Sequence, residues 1–425
     1  MLFESLNLNP AIVQALTASG YTEPTPVQAQ AIPEAIAGHD LMCSAPTGTG
    51  KTAAFVLPAL QRLAQPAKPG RGPRVLVLTP TRELALQVTG AVEKYSKFMG
   101  RVRTGTVLGG MPYPKQRKLL ESPLDILVAT PGRLIDFIDQ GKVDFSRLEL
   151  LVLDEADRML DMGFIQPVEK IAAATPAGRQ VLLFSATLDG NIARLARTLL
   201  RNPKLIEVAA SKTRHENIEQ RLHHVDDGSH KRKLLDHLLA DTELNQAIVF
   251  TSTKRGADKL AGDLHGSGHS AAALHGDMNQ SQRNRTLSRL RSGNVRVLVA
   301  TDVAARGIDV QTITHVINYD LPKVAEDYVH RIGRTGRAGA TGIAISFAAP
   351  DDRSQLRQIE RFTGNQIEVH VVPGLEPKAK ARGDFSSAGR KPYRGQNDNR
   401  RPSSGAPARR NSGGGFGNRA GRSYS

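Results

Sequence analysis

Short runs of apolar residues recur along the chain, and each run ends in small or polar residues. The first half contains RVLVLTP (74–80), DILVATP (125–131), LELLVLDEAD (148–157) and QVLLFSAT (180–187). The second half contains QAIVFTS (246–252), VRVLVATD (295–302), ITHVINYD (313–320) and GIAISFA (342–348). Longer segments with helical character, such as RELALQVTGAVEKYSKF, lie between them. Apolar strands that alternate with helices predict parallel sheets covered by helices on both faces.

Two polar segments divide this pattern. The stretch VAASKTRHENIEQ (208–220) has no apolar period and predicts a linker. From residue 374 the chain is rich in Gly, Ser, Arg, Pro and Asn and almost lacks aliphatic residues, so it cannot bury enough surface to fold. The sequence therefore predicts an α/β protein with parallel-sheet domains at 1–207 and 219–373, a linker at 208–218 and a disordered tail at 374–425.

The charge balance indicates a polyanionic partner. The 425 residues carry a formal net charge of +16, and residues 374–425 alone contain 12 basic and 3 acidic residues. Such a surplus attracts nucleic acid or anionic membranes. No apolar stretch reaches the roughly 18 residues of a membrane span, and the N-terminus lacks the pattern of a signal peptide. With the single cysteine Cys43, these features predict a cytoplasmic protein without disulfides or membrane contact.

The segment APTGTGKT (45–52) is close to a phosphate-binding loop. Its pattern G-x-x-x-x-G-K-[ST] begins here with Ala45 instead of glycine, whereas Gly50, Lys51 and Thr52 are intact. In such a loop, backbone N–H groups surround phosphates, the lysine reaches the terminal phosphates and the hydroxyl ligates Mg²⁺. Taken alone, the segment also fits an ordinary glycine-rich turn at the start of a helix.

A pair of carboxylates decides between these alternatives. Asp154 and Glu155 directly follow the apolar run LLVL. In a nucleotide-hydrolysing sheet, the first carboxylate at this place holds Mg²⁺ and the second orients and deprotonates water. An acidic surface turn is the alternative reading, but the phosphate loop upstream on the same predicted sheet favours a nucleotide site.

The second half of the chain has no G-K-[ST] of its own. It contains HRIGRTGRAG (330–339), which brings Arg331, Arg334 and Arg337 into a glycine-containing segment. Arginines supplied to a phosphoryl-transfer site stabilise the charge of the transition state. We therefore expect one domain to bind the nucleotide and the other to complete the site by closing, which makes closure available for mechanical work.

In this order, the motifs resemble those of the DEAD-box RNA helicases, and in particular the bacterial RhlE-type members. The resemblance covers roughly residues 1–373 and includes the form APTGTGKT, in which Ala45 is expected. It implies two RecA-like domains, ATP and Mg²⁺ between them, RNA across both, and local opening of short duplexes. His330 and the Q motif distinguish this group from related DNA translocases.

The resemblance also implies a set of nucleotide contacts. GYTEPTPVQ (20–28) is similar to the Q motif, so Gln28 would read the adenine edge and Phe3 or Tyr21 would stack on the base. Asp309 would lie near the ribose. The implied loop contacts are Ala45, Pro46, Thr47, Gly48, Thr49, Gly50, Lys51 and Thr52; the metal ligands are Thr52 and Asp154; and the catalytic residues are Lys51, Asp154, Glu155, His330, Arg334 and Arg337.

A second implied set concerns RNA. Thr, Gly, Pro and Arg residues position a backbone without reading bases. In the second domain, Gln282 and Arg285 have the spacing of the family's Q-x-x-R element. The implied RNA contacts are Pro80, Thr81, Arg82, Gly109, Gly110, Thr130, Arg133, Arg285 and Thr301, and the segment that couples hydrolysis to RNA is Ser185, Ala186 and Thr187 with Asp157. The threonines also fit ordinary helix caps.

Two other functions fit the same motifs. One is an ATP-gated RNA clamp or chaperone with little unwinding, and the other is a DNA translocase of the same superfamily. Expected partners are single-stranded and short duplex RNA, with ribosomal precursors or RNA-decay proteins as further candidates and a monomeric core. His275 fits the cleft or a structural loop equally well, and His223 and His224 lack the spacing of a zinc site.

Overall fold

The computed structural model describes residues 2–378 except 47, 67–68, 189, 209–216, 242–243, 306–307, 309, 311 and 337–339. Its helices are α1 (Pro10–Ala18), α2 (Pro26–Ile36), α3 (Lys51–Leu63), α4 (Arg82–Tyr95), α5 (Tyr113–Leu120), α6 (Pro131–Asp139), α7 (Ala156–Asp161), α8 (Ile165–Ala173), α9 (Gly190–Leu199), α10 (Gly228–Leu239), α11 (Lys254–Gly266), α12 (Gln280–Arg291), α13 (Asp302–Ala305), α14 (Ala325–Ile332) and α15 (Arg353–Thr363). Its strands are β1 (Leu41–Ser44), β2 (Val75–Leu78), β3 (Thr104–Val107), β4 (Ile126–Ala129), β5 (Leu150–Leu153), β6 (Gln180–Ser185), β7 (Lys204–Glu207), β8 (Ile218–His224), β9 (Ala247–Phe250), β10 (Ala271–Leu274), β11 (Val297–Ala300), β12 (His315–Asn318), β13 (Gly342–Ala348) and β14 (Glu368–Val369).

The strands form two seven-stranded sheets that repeat one topology. The first has the order β3-β4-β2-β5-β6-β1-β7 and the second β10-β11-β9-β12-β13-β8-β14. The strand pairs are parallel in both. We call the parts of the chain that carry these sheets the first lobe and the second lobe. The α/β fold of two tandem parallel sheets predicted from the sequence is confirmed.

Helices cover both faces of each sheet. In the first lobe, Phe55 of α3 packs on Phe184 of β6 on one face, and Phe137 of α6 packs with Leu153 of β5 on the other. In the second lobe, Phe347 and Phe250 belong to separate core clusters in the same way. The central strands are therefore apolar at every position, which is why β2, β5, β9 and β11 were recognisable as continuous runs.

All eight apolar runs contain a strand, but six further strands were not predicted. Four of them, β3, β7, β10 and β14, lie at or beside sheet edges and carry small, polar or exposed residues. β1 is a four-residue run, LMCS, directly before the phosphate loop. β8 begins at Ile218, inside the stretch expected to be a linker, because IEQRLHH alternates irregularly between buried and exposed positions. Residues 209–216 of that linker lie outside the described residues.

The beginning of the expected tail is ordered. Leu375 packs against the core of the second lobe, and its carbonyl contacts Nε2 of His230 at 2.9 Å. The N–H of Lys378 donates to Oδ2 of Asp226 at 2.9 Å. The prediction of disorder is therefore wrong for 374–378, because one leucine and two hydrogen bonds suffice to hold this short segment. Residues 379–425 lie outside the described residues.

Within the part of the chain that the structure describes, no helix has the length and apolar character needed to cross a membrane.

Candidate functional site

The phosphate loop lies between β1 and α3. Gly48 and Gly50 have φ angles of +71° and +90°, which glycine adopts without strain. Lys51 begins α3, is 6% exposed and donates from Nζ to the carbonyl of Ala45 at 2.7 Å. The hydroxyl of Thr49 donates to the carbonyl of Pro46 at 2.7 Å. The free N–H groups of the first turn of α3 follow this loop, as a phosphate site requires.

The phosphate loop contains two further threonines, Thr47 and Thr52. Thr52 is the second residue of α3 and is half-buried. Thr47, which the sequence assigned to the same loop, lies outside the described residues.

Gln28 connects the Q motif to this loop. It lies in the first turn of α2 and is 6% exposed. Its Nε2 donates to the carbonyl of Gly50 at 3.0 Å, and its Oε1 accepts from the N–H of Thr25 at 3.0 Å. A side-chain amide has two donors and two acceptor lone pairs, so both ends of Gln28 keep capacity for a further partner.

The two aromatic residues proposed for base stacking lie in different environments. Phe3 is 4% exposed and belongs to the hydrophobic core of the first lobe. Tyr21 is 43% exposed, packs its edge on Tyr95 and has Nζ of Lys94 4.6 Å from its ring centre. Tyr21 therefore has open ring surface for a base, whereas Phe3 has little.

The acidic motif follows β5, two strands away from β1. Asp154 is 4% exposed, and burial, reinforced by the neighbouring Glu155 carboxylate, raises its pKa from 3.8 to about 7, although Lys51 opposes the shift. Glu155 has φ +50° and ψ +53°, a left-handed conformation that is strained for a residue with a side chain. A buried carboxyl and a strained neighbour at a sheet's carboxyl edge are features of functional sites.

The segment Ser185–Thr187 joins the loop and the acidic motif. It begins with the last residue of β6, the strand between β5 and β1. The N–H of Ala186 donates to Oδ2 of Asp157 at 3.1 Å, and the N–H of Ala45 donates to the carbonyl of Ser185 at 3.1 Å. The N–H of Thr187 lies 3.4 Å from the Ser185 hydroxyl. A movement of this segment would therefore displace residues of both the phosphate loop and the acidic motif.

The candidate RNA residues of the first lobe follow β2, β3 and β4, which are neighbours in the sheet. The guanidinium of Arg82 donates to the carbonyl of Gly109, whose N–H donates to Oγ1 of Thr130 at 3.3 Å. Arg133 donates to the carbonyl of Met111 at 2.8 Å and stacks over a tyrosine ring. The three predicted motifs are thus brought together on one surface.

Local structure explains two other residues of this set. Thr81 follows Pro80 and caps α4, because its hydroxyl oxygen accepts from the N–H of Leu84 at 3.3 Å. The helix-cap role that the sequence offered as an alternative for this threonine is thus observed. Gly110 has φ +71°, a backbone conformation that favours glycine, and a Cβ there would come 2.7 Å from Nη1 of Arg82 and displace the end of that side chain.

In the second lobe, the arginines of HRIGRTGR have distinct surroundings. Arg331 is 2% exposed, forms two bonds to the Asp302 carboxylate at 2.5 and 2.8 Å, and donates to Oδ1 of Asn318 at 3.1 Å. Arg334 is 7% exposed and donates to the carbonyl of Ile308 at 3.0 Å. Arg331 is therefore held as a structural cation. Arg337 and Asp309, which the sequence placed in the site, lie outside the described residues.

Thr301, the remaining candidate RNA residue of the second lobe, is 9% exposed and precedes α13.

One functional candidate was missed by the sequence analysis. Arg283 of α12 lies 3.1 Å from Oε1 of Glu83 in the first lobe and 3.4 Å from the carbonyl of Ala304. Arg285, the arginine predicted from the Q-x-x-R spacing, is exposed. The segment QSQR also has this spacing from Gln280 to Arg283, so the spacing alone does not distinguish the two arginines.

A small cavity lies where the lobes meet beside the acidic motif. Arg158 of α7 lines it from the first lobe, and Arg334 and His330 are among its lining residues from the second lobe. The arginine and histidine of HRIGRTGR thus lie next to the helix that directly follows Glu155. The sequence predicted this juxtaposition from the need for a second-lobe arginine, but it did not predict Arg158.

Three other polar residues have structural roles. His275 is buried, and its Nε2 lies 2.7 Å from Oδ1 of Asp258. His223 is buried beside Phe347, and burial lowers its pKa to about 4. Burial also raises the pKa of the Cys43 thiol to about 12, so this cysteine is protonated and unreactive.

Comparison with protein families agrees with this geometry. Residues 25–195 match the DEAD/DEAH box helicase family, and residues 229–339 match the helicase conserved C-terminal domain. The chain is 45% identical to the ATP-dependent RNA helicase SrmB of Haemophilus influenzae over 89% of this chain and 86% of that protein. It is 43% identical to the ATP-dependent RNA helicase RhlB of Pseudomonas syringae pv. tomato over 87% and 95% of the two chains.

A solved structure is similar across both lobes. The Dbp5 protein of S. cerevisiae bound to RNA and ADP BeF3 matches with a TM-score of 0.78 and 31% identity, over 87% of this chain and 95% of that one. The likeness extends to both sheets, which confirms the expectation of two RecA-like domains.

Proposed function

Since the chain belongs to the DEAD-box family of ATP-dependent RNA helicases, we propose that its lobes close on ATP and RNA and open short duplexes locally. The observation that carries this proposal is that the phosphate loop and the acidic motif lie at one sheet edge, with a second-lobe arginine beside the helix that follows the acidic motif. The phosphate loop and the acidic motif lie at the ends of β1 and β5, and Arg334 lines the adjoining cavity from the second lobe. A nucleotide bound there would contact both lobes and so favour their closure.

On the nucleotide side, we assign each residue the role that its motif implies. Gln28 reads the adenine edge, with Tyr21 or Phe3 against the base and Asp309 near the ribose. Lys51 exchanges its bond to the Ala45 carbonyl for a phosphate oxygen. Glu155 takes a proton from the attacking water, and Arg334 and Arg337, with His330 beside them, stabilise the charge that develops on the transferred phosphoryl group.

Mg²⁺ fits the same site. Thr52 supplies a hydroxyl and Asp154 a carboxylate, and hard oxygen ligands of this kind suit the ion. The raised pKa of the buried Asp154 shows a carboxyl whose ionised form lacks compensation within the protein. A bound Mg²⁺ would supply that compensation and neutralise charge on the phosphate oxygens.

On the RNA side, the surface formed by Arg82, Gly109, Thr130 and Arg133 in the first lobe continues in the second lobe with Thr301 and Arg285. Its groups are backbone N–H donors, hydroxyls and guanidinium groups, which suit phosphates and ribose rather than base edges. The Ser185–Thr187 segment, held by Asp157, would transmit the state of the nucleotide to this surface.

Replacement of Glu155 and of Lys51 separates binding from hydrolysis. Glu155→Gln should keep ATP affinity and lower RNA-stimulated hydrolysis by roughly 100-fold or more, because it removes the base that acts on water. Lys51→Ala should lose ATP binding itself, because Lys51 contacts phosphate before the reaction. Fluorescent-nucleotide titration and steady-state ATPase assays measure both, and thermal melting checks the fold. Near-normal hydrolysis by Glu155→Gln would contradict the proposed site.

Two other functions of the same site are separated by simple assays. An ATP-gated RNA clamp would hydrolyse ATP with RNA present but leave a short labelled duplex intact. A DNA translocase would respond to single-stranded DNA at least as strongly as to RNA. The intact Glu155 and Arg334 favour turnover over a static clamp. The RhlE-type subgroup, ribosomal precursors or RNA-decay proteins as partners, a monomeric core and a cytoplasmic location stay predictions from the sequence.

A further inference from the structure

Arg158 is a buried cation that the functions above do not use. It lies in α7, three residues after Glu155, and is 2% exposed. Its Nε and Nη2 atoms are buried and have no hydrogen-bond partner among the described residues. Because a buried charge without hydrogen bonds is costly, a guanidinium in this state requires an explanation.

The group nearest to this cation is the expected catalytic base. Nε of Arg158 lies 3.3 Å from Oε2 of Glu155, and both side chains are nearly buried. That oxygen has no hydrogen-bond partner among the described residues. The contact is thus an ion pair without hydrogen-bond geometry, and the other carboxylate oxygen of Glu155 is left for a different partner.

The backbone holds the two residues in this relation. The N–H of Arg158 donates to the carbonyl of Glu155 at 3.0 Å and lies 3.1 Å from Oδ1 of Asp157. Glu155 adopts its left-handed conformation at the N-cap of α7. The strain at Glu155 and the first turn of α7 together direct both side chains to the same side of the helix.

Residues of the second lobe lie against Arg158 and line a cavity with it. Arg158 shares its cavity with Phe250, Asp302, His330 and Arg334. Asp302 is already engaged by Arg331 through two bonds, so it offers Arg158 little compensation. A further carboxylate of the second lobe, Asp327, also lines the cavity. The carboxylate that lies at ion-pair distance from Arg158 is that of Glu155, and exclusion of water by the second lobe strengthens that pair.

We propose that Arg158 is a positioning residue that holds the carboxylate of Glu155 in the orientation needed to take a proton from the attacking water. The inference rests on the proposed role of Glu155 as the base. One oxygen faces the guanidinium, which fixes the rotamer, and the other oxygen stays available for water. Since the second lobe covers Arg158, the orientation is secured in the closed form in which ATP is hydrolysed.

The experiment compares Arg158→Met, Arg158→Gln and Arg158→Lys in the full-length protein. With RNA in excess, the neutral variants should lose roughly 10- to 100-fold in kcat, because the base is present but wrongly oriented. KM for ATP and affinity for RNA with AMP-PNP should change less than about threefold, since Arg158 contacts neither ligand. Arg158→Lys should recover a large part of kcat because it restores the cation.

A matched control is Arg74→Met, which removes another buried arginine whose partner, Glu149, lies away from the site. It should lower thermal stability by a similar amount without a selective loss of kcat. If Arg158→Met or Arg158→Gln keeps normal kcat, or if Arg158→Lys is no better than they are, the inference is wrong. If Arg158→Met does not fold, the kcat values of Arg158→Gln and Arg158→Lys still test the inference.

A double-variant test separates this inference from the proposed function. In the Glu155→Gln background, measured with enzyme in excess over labelled ATP, Arg158→Met should cause no further loss of rate, because the group it positions is gone. A full additional loss would show that Arg158 acts elsewhere. Normal hydrolysis by Glu155→Gln alone would instead overturn the role of Glu155, and the proposed function with it.

Discussion

Single residues at the nucleotide site combine function with a cost in stability. Burial, with Glu155 beside it, raises the pKa of Asp154 from 3.8 to about 7. Folding therefore favours the protonated form, and the stability lost on ionisation grows as the pH rises from about 4 to about 7 and stays constant above that. On the proposed function, the carboxyl serves a metal ion and phosphates at this position and not the fold.

Asp154→Asn should therefore stabilise the protein while removing its activity. At pH 8, without nucleotide and with EDTA present, the melting temperature should rise by about 2–4 °C, because the amide carries no buried charge. The gain should shrink steadily between pH 7 and pH 5, where the native carboxyl is increasingly protonated. Melting curves at several pH values measure this, alongside the ATPase assay. A lower melting temperature at pH 8 would show that the charge is compensated within the protein.

Gln28 contacts the phosphate loop, and we propose that it also contacts the base. Because its Nε2 bonds to the carbonyl of Gly50, Gln28→Ala should weaken ATP and GTP alike through a looser loop. If Gln28 also reads the adenine edge, the loss for ATP should exceed the loss for GTP by several-fold, the value of about one hydrogen bond. Competition titrations with both nucleotides give the two losses. Equal losses would leave Gln28 with the supporting role alone.

At the scale of elements, α4 and α12 are joined across the two lobes. The ion pair between Glu83 and Arg283 connects the helix that begins with Arg82 to the helix of the Q-x-x-R element. Both side chains are 13% exposed, so the pair is more shielded from solvent than a surface pair. We expect it to report on closure over RNA, because both elements adjoin the candidate RNA surface.

Reversal of this pair should affect RNA-dependent closure. Arg283→Glu should raise the RNA concentration needed for half-maximal ATPase stimulation by roughly three- to tenfold, through repulsion from Glu83. The double reversal Glu83→Arg with Arg283→Glu should recover part of the loss. Arg289→Glu, an exposed position on the same helix, controls for the change in net charge. An effect of Arg289→Glu as large as that of Arg283→Glu would indicate general electrostatics instead of a specific contact.

At the scale of the whole molecule, the C-terminal segment contains more than half of the net positive charge. Residues 374–425 have a net charge of +9, whereas the rest of the chain has +7. Leu375 and Lys378 contact the second lobe. We expect the part after Lys378 to bind RNA through phosphate contacts, with Phe385, Tyr393, Phe416 and Tyr424 available for stacking.

Truncation after Lys378 tests this expectation without disturbing the second lobe. A truncation after Pro373 would also remove Leu375 and its bond to His230. The shorter protein should keep its basal ATPase and melting temperature, need more RNA for stimulation, and show a flatter dependence of RNA affinity on salt. RNA binding at several salt concentrations, with the full-length and the truncated protein, measures the affinity and the salt dependence. Identical affinities and salt slopes would mean that the segment does not bind RNA.

The fold class, the order of the motifs and most strands of the sheet centres follow from the sequence. Central parallel strands are buried on both faces, so runs such as RVLVL and LELLVL show them directly. The phosphate loop and the acidic pair are equally visible, because phosphate and metal binding demand particular residues at fixed spacing. Edge strands such as β7 and β14 were not visible, since partial exposure removes the apolar signal.

Tertiary structure alone decided which side chains meet. Arg283 and Arg285 share the same spacing, and only the packed structure shows that Arg283 contacts Glu83 across the lobes. Tyr21 and Phe3 differ only once packing buries one of them. The pairing of Arg158 with Glu155 arises from a strained helix start and from the second lobe above it. The local spacing of residues determines the chemistry of a motif, whereas the burial of side chains and the contacts between distant segments depend on how the whole chain packs.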